Sequence, residues 1–260
     1  MSIPVRLILI VSGAWFFWVM LPRFLVRVGM PVKMEALGQW GDSFGALNAA
    51  FSAAAVIGVL VTLRMQSKEI SDQQRQIESQ NERLERSEFD ASFFQLFELS
   101  RQLREGATFE IPENSKRGGT GRAAFEAAHK HMQFLLGPSY TFPDMITDVE
   151  TTIRDLYRDD VHRYAEYSFG PYFRILYTIL RRISESRVLD GQTKIQYGNL
   201  VRSQLSTPEV ALIAANALTE ASNDFRKFVV EFRLLKYLPH DEYRGFLETV
   251  YPGEAFAARD

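Results

Sequence analysis

The stretch GQWGDSFGALNAAFSAAAVIGVLVTLRMQ, Gly38 to Gln66, decides how this chain is read. Phe44 to Leu63 is a run of 20 residues without a charge. At about 1.5 Å per residue, such a run crosses a hydrocarbon core about 30 Å thick. At Arg64 the sequence turns polar, but the helical periodicity continues. The expectation is a membrane helix that runs on as a polar helix, and soluble-enzyme readings lose weight.

Toward the N-terminus, Leu7–Leu21 is a second uncharged run, with Arg6 before it and Arg23 and Arg27 after it. It is short for a span, but Phe24, Leu25, Val26 and Val28 extend it if the two arginines snorkel. Trp15 and Trp18 suit an interface. Pro22-Arg23-Phe24 stands where a signal peptidase needs small residues, so the run reads as an uncleaved anchor. Two spans place both termini on one side. The loop carries Arg23, Arg27 and Lys33, and the segment after the second span carries Arg64, Lys68 and Arg75, so basic residues do not settle the orientation. The large polar C-terminal part has no secretory feature and is assigned to the cytoplasm. The expected location is a bacterial inner membrane, crossed twice, with membrane lipid as one partner.

In the second run, Gly41, Gly45, Ala49 and Ala53 recur every four residues, with Asn48 and Ser52 beside them. At helical spacing they share one face, and small residues let helix backbones approach closely in lipid. Asn48 can add an interhelical hydrogen bond of roughly 1 kcal/mol. Asp42 suits the helix start, where a carboxylate meets free N–H groups. The face packs either against the first span of the same chain or against another subunit.

The whole chain has 260 residues, a formal net charge of −2, mean hydropathy of −0.14 and no cysteine. These values exclude disulfides, a polytopic transporter and the basic footprint of nucleic-acid binding. Leu63, Ile70, Ile77, Leu84 and Ala91 are spaced by seven, with mostly Gln, Ser, Asn and charged residues between them. One apolar position per heptad makes a weak coiled coil, which pairs if the spans already hold two copies together. A homo-oligomer is the expectation.

From Phe89 onward the pattern is helical. Phe93, Phe94, Leu96, Phe97 and Leu99 begin a helix, and a loop with Pro112, Gly118 and Gly119 follows. Further helices carry Ala124–Met132, ending near Gly137-Pro138, and Val149–Tyr164. Pro171 is placed in the first turn of the next one. Ser206-Thr207-Pro208-Glu209 reads as a capping box or as a Thr cap with a first-turn proline. Phe225, Phe228, Val229, Phe232 and Leu235 form the last strong apolar face. The reading is all-α: a transmembrane hairpin at 1–63, a helical linker with a weak heptad pattern at 64–90, and a cytoplasmic helical domain at 91–260.

Chemistry-bearing patterns are few. Glu126 and His129 have half of a di-iron spacing without a second half, so no metal and no cofactor are expected. His162 and Glu166, four apart, suit a helical pair. Arg122 and His129, with six residues between them, resemble the Arg/His ribonuclease motif of HEPN domains, in which a cation and an imidazole act on a phosphodiester. Arg233 and His240 repeat that loose spacing.

Five ordered blocks carry a wider resemblance: Gly38–Ser52, SFFQLFEL at Ser92–Leu99, GRAAFE at Gly121–Glu126, PYFRILYTILRRI at Pro171–Ile183 and VRSQLSTPEVALIAANAL at Val201–Leu218. Together they resemble the phage abortive infection family. The resemblance implies a bacterial defence role, two membrane helices and a helical cytoplasmic domain, and it assigns no catalytic residue. It implies an effector that perturbs the inner membrane when a partner, a defence-system sensor protein or nucleoprotein, reports infection. The alternative is a membrane-tethered HEPN-like ribonuclease using Arg122 and His129.

Overall fold

The structure, a computed structural model, describes residues 3–29, 34–111, 114–141 and 148–258. Lys33 and Pro112, named above, lie outside the described residues. The chain divides into two compact units, Met1–Glu78 and Ser79–Asp260.

The first unit holds α1 (Ile3–Arg27) and the N-terminal part of α2 (Met34–Glu105). Gly29, at φ +80°, follows α1; a left-handed residue there ends a helix without a Cβ clash. α2 is 72 residues long, with neither a proline nor a cap to stop it before Glu105. The helix expected to begin near Phe93 is therefore the last part of α2.

The second unit is built around α7 (Thr207–Asn216). Every residue from Glu209 to Asn216 is buried. A helix this apolar all round belongs in a core, and Ala211, Ala214 and Ala215 leave room for close neighbours. Tyr243 on α9 (Glu242–Val250) donates to the Ala211 carbonyl at 3.1 Å, and Tyr251 donates to the Ala214 carbonyl at 2.7 Å. Each phenol thus keeps its polar tip satisfied while its ring fills the core.

Rings dominate the rest of the packing. Phe89 and Phe93 of α2 meet Tyr197 of α6 (Gly191–Gln204) at 5.3 and 4.7 Å between centroids. Phe125 of α3 (Arg122–Thr141) stacks on Phe169 at 4.5 Å. α6 also comes very close to Phe232, which follows α8 (Asn223–Glu231): a Cβ at Gly198 would sit 2.4 Å from the Phe232 ring.

Three expectations need correction. The chain is helical over nearly its whole length but is not all-α. β1 (Thr108–Ile111) pairs antiparallel with β2 (Asn114–Thr120), where a loop was expected. Phe109 anchors the hairpin in the core, and the glycines permit its close contacts. A Cβ at Gly118 would lie 2.4 Å from the Phe109 carbonyl oxygen, and one at Gly119 2.5 Å from the Ala123 backbone. The two glycines read as loop residues in the sequence, but here they let a short strand lie flat against its neighbours.

Pro171 is not in a first turn. It lies inside α5 (Arg163–Glu185), which follows α4 (Val149–Leu156) through a π-helical turn at Tyr157–His162. Ala165, at φ −125° and ψ 15°, kinks the helix just after that turn. α3 likewise runs to Thr141, past Gly137-Pro138.

Gly198→Val should force the buried Phe232 ring out of place and lower stability by roughly 1–3 kcal/mol. Thermal melting of the detergent-solubilised chain measures it. Unchanged melting would mean that the contact yields freely.

Candidate functional site

Two features stand out: an exposed apolar helix segment and a buried ionic junction. Among the described residues, one helix is long and apolar enough to cross a membrane. It is the part of α2 from Gly45 onward, whose most apolar window has a mean hydropathy of 2.0. None of that window is buried against the rest of the chain. Phe51, Val56, Ile57, Val59 and Leu60 are all more than half exposed. A core helix of a soluble protein hides such side chains, whereas these need an apolar medium from elsewhere.

The small-residue face lies in the same segment. Gly45, Asn48, Ala49, Ser52 and Ala53 are exposed, and a Cβ at Gly45 would meet nothing within 4 Å. Gly41 belongs to α2, but its surroundings lie outside what is described. Farther along, Ile70, Ile77 and Leu84 are each more than half exposed.

The junction sits at the C-terminal end of α2. Glu209 is fully buried at the start of α7. One carboxylate oxygen accepts from the Ser206 backbone N–H at 2.8 Å and from its hydroxyl at 2.6 Å. The other accepts from the Tyr172 hydroxyl of α5 at 2.6 Å. Arg104, in the last turn of α2, lies 3.7 Å from that same oxygen and donates to the Gln204 carbonyl at 2.9 Å. Burial, and then the facing Glu209 charge, hold the Tyr172 phenol well above its usual pKa, so it stays a donor. The capping box was legible in Ser206-Thr207-Pro208-Glu209. Its links to Arg104 and Tyr172 were not, because no local spacing rule joins Glu209 to a residue 37 positions away or to one still farther back on α2.

The ribonuclease-like pair is split between environments. Arg122 is exposed at the first position of α3. His129, seven residues on and about 10 Å along the helix axis, is buried, with its ring 5.2 Å from that of Tyr243. Its Nε2 has no partner among the described residues. Burial lowers the imidazole pKa, partly opposed by Asp241. Glu126 pairs instead with Lys130 at 2.5 Å. Among the described residues, no three His, Asp or Glu side chains are grouped to hold a metal. Arg233 takes φ 49° and donates to the Ala258 carbonyl at 2.6 Å; His240 is exposed.

The family whose sequence model is described as "Putative phage abortive infection protein" matches residues 164–243. The matched segment holds most of α5, all of α6 to α8, and Glu209. This is the family that the five sequence blocks resemble, and the match points to a role in abortive infection against phage. No curated protein and no solved structure matches the chain.

Two measurements probe these groups. Glu209→Ala removes a cap and leaves Arg104 buried without its counter-ion, so it should cost roughly 3–5 kcal/mol. Tyr172→Phe removes one hydrogen bond to a charged acceptor and should cost about 1.5–3 kcal/mol. Chemical denaturation reads both, and a smaller loss for Glu209→Ala than for Tyr172→Phe would contradict the assignment. For His129, the unfolded imidazole takes a proton near pH 6.5, and the folded one only at lower pH. The unfolded chain therefore binds more protons in that window, and stability falls as the pH drops below about 6.5. Melting at pH 7.5 and 5.5 should show a decrease that His129→Gln reduces; an unchanged decrease would place it on other groups.

Proposed function

We propose that this chain is a bacterial anti-phage abortive-infection effector that perturbs the inner membrane when its C-terminal domain receives a signal. In this reading α1 and the apolar segment of α2 both span the membrane, and the helical domain at 91–260 faces the cytoplasm. The signal comes from a defence-system sensor protein or nucleoprotein. No cofactor and no direct nucleic-acid contact enter the mechanism.

The observation that carries the reading is the make-up of α2. One uninterrupted helix holds an exposed apolar segment and, in its last turn, an arginine buried in an ionic junction. A continuous helix can transmit rotation or displacement, whereas a flexible linker cannot.

The small-residue face supports the second half of the mechanism. Gly45, Ala49 and Ala53 meet another subunit in the membrane, with Gly41 extending the face and Asn48 and Ser52 supplying polar contacts. The chain acts as a homo-oligomer. Ile70, Ile77 and Leu84 pair weakly between copies once the spans raise their effective concentration.

Two perturbations test it in cells carrying the native neighbouring genes and a membrane-potential dye. Gly45→Leu should abolish phage-triggered depolarisation while the circular dichroism spectrum is preserved. A Gly-Gly insertion after Gln80 costs roughly 2 kcal/mol of helix propensity and should uncouple signal from depolarisation. If the insertion variant depolarises as fast as the parent, α2 is a passive tether. If Arg122→Ala abolishes protection together with RNA cleavage in a folded protein, the ribonuclease reading replaces this one.

A further inference from the structure

A cleft of about 590 Å³ opens beside the π-helical turn, within the range of small-ligand sites. Its polar lining comes from three places: His162 at the end of the turn, Glu166 and Arg174 on α5, and Asn216 and Asp224 around the α7–α8 connection. π-turns interrupt helices at a cost and are frequent at functional sites.

Several of these groups lack partners. Asn216 is 5% exposed. Its Oδ1 lies 3.4 Å from the Ser222 hydroxyl, while its Nδ2 donor has no acceptor among the described residues. On the wall of the cleft, this amide N–H is free to donate to an acceptor that enters. Asp224 is exposed in the first turn of α8, where the helix dipole favours it, and no cation pairs with it among the described residues. The one arginine lining the cleft is already engaged: Arg174 Nη1 lies 3.3 Å from Glu166 Oε1. Gly170 makes that pairing possible. A Cβ there would stand 3.0 Å from the Glu166 oxygen and 3.4 Å from the Arg174 nitrogen.

The ionised lining is thus two carboxylates against one guanidinium, beside an unmet N–H donor. The complementary ligand carries a cation and a nearby carbonyl acceptor. Tyr177, which also lines the cleft, presents a ring suited to such a cation; a guanidinium of the same chain, Arg181, already lies 5.9 Å from its centroid. We infer that this cleft binds an arginine or lysine residue, its cationic side chain at Asp224 and its carbonyl on Asn216 Nδ2. The source is either a basic segment of another protein or a free amino-acid derivative. The inference does not depend on the membrane role proposed above.

Fluorescence anisotropy of the detergent-solubilised full chain with a labelled arginine-containing peptide tests it. Saturable binding is expected, and the same peptide with glutamate in place of arginine should not compete. Asp224→Asn should weaken binding about tenfold, the size of one lost charge-assisted contact. Both Asp224 and Glu166 are exposed, so Asp224→Asn and Glu166→Gln should keep the parent melting temperature. Competition by Nα-acetyl-arginine amide supports a free solute as the source, and its failure to compete supports a protein segment. Absence of saturable binding, equal competition by the glutamate peptide, or parent affinity in both variants would overturn the inference.

Discussion

The fully buried carboxylate of Glu209 is the constraint around which the C-terminal unit is organised. An ionised group away from water is tolerated only when its oxygens are occupied by donors. Here they are met by the backbone and hydroxyl of Ser206 and the phenol of Tyr172, while the Arg104 guanidinium, 3.7 Å away and bonded to the Gln204 carbonyl, supplies the counter-charge. Those groups come from the α6–α7 joint, α5 and the end of α2. Hydrophobic burial alone would let these helices slide by a turn, whereas the directional bonds allow one register. The aromatic contacts of Phe89, Phe93 and Tyr197 add area to an arrangement that the carboxylate has already selected.

α2 changes its chemistry along its length. From Gly45 to Glu88 its described side chains are exposed, and Phe89 and Phe93 are the first to enter a core. Two kinds of exposure must be distinguished. The Gln, Glu and Arg residues between Arg64 and Glu88 are solvated and need no cover. The apolar residues between Phe51 and Leu63 are numerous and contiguous, and water is a poor environment for them. The same helix therefore joins a segment that asks for lipid to one that water suits.

Periodicity made the helices legible where each has one apolar stripe. The capping signal at Ser206 was also legible, because a cap is a local interaction. The hairpin was not, since β1 is only four residues long and its decisive feature is space at Gly118 and Gly119. α6 and α9 escaped as well: α6 offers the core little apolar side chain beyond Tyr197 and Val201, and α9 is short. The junction was half visible. Glu209 showed itself through its cap, but the burial that gives it weight comes from Tyr172 and Arg104, far away in sequence. The cleft was hidden for a related reason. His162 and Glu166 read as a simple helical pair, but Glu166 pairs with Arg174, eight residues farther on and past the kink at Ala165.

The π-helical turn also bears on which changes in chain length this protein can accept. Each residue added to a helix advances its phase by about 100°. The residue accommodated at Tyr157–His162 therefore acts as a phase shifter. It lets Ile153, before the turn, and Ala165, Phe169 and Tyr172, after it, all point inward. Deleting one residue there would regularise the helix locally and rotate everything downstream, including Tyr172, away from the carboxylate it serves. In this segment, chain length carries as much structural information as side-chain identity, and variants of this chain are expected to exchange residues freely at Arg158 or Asp159 while keeping their number.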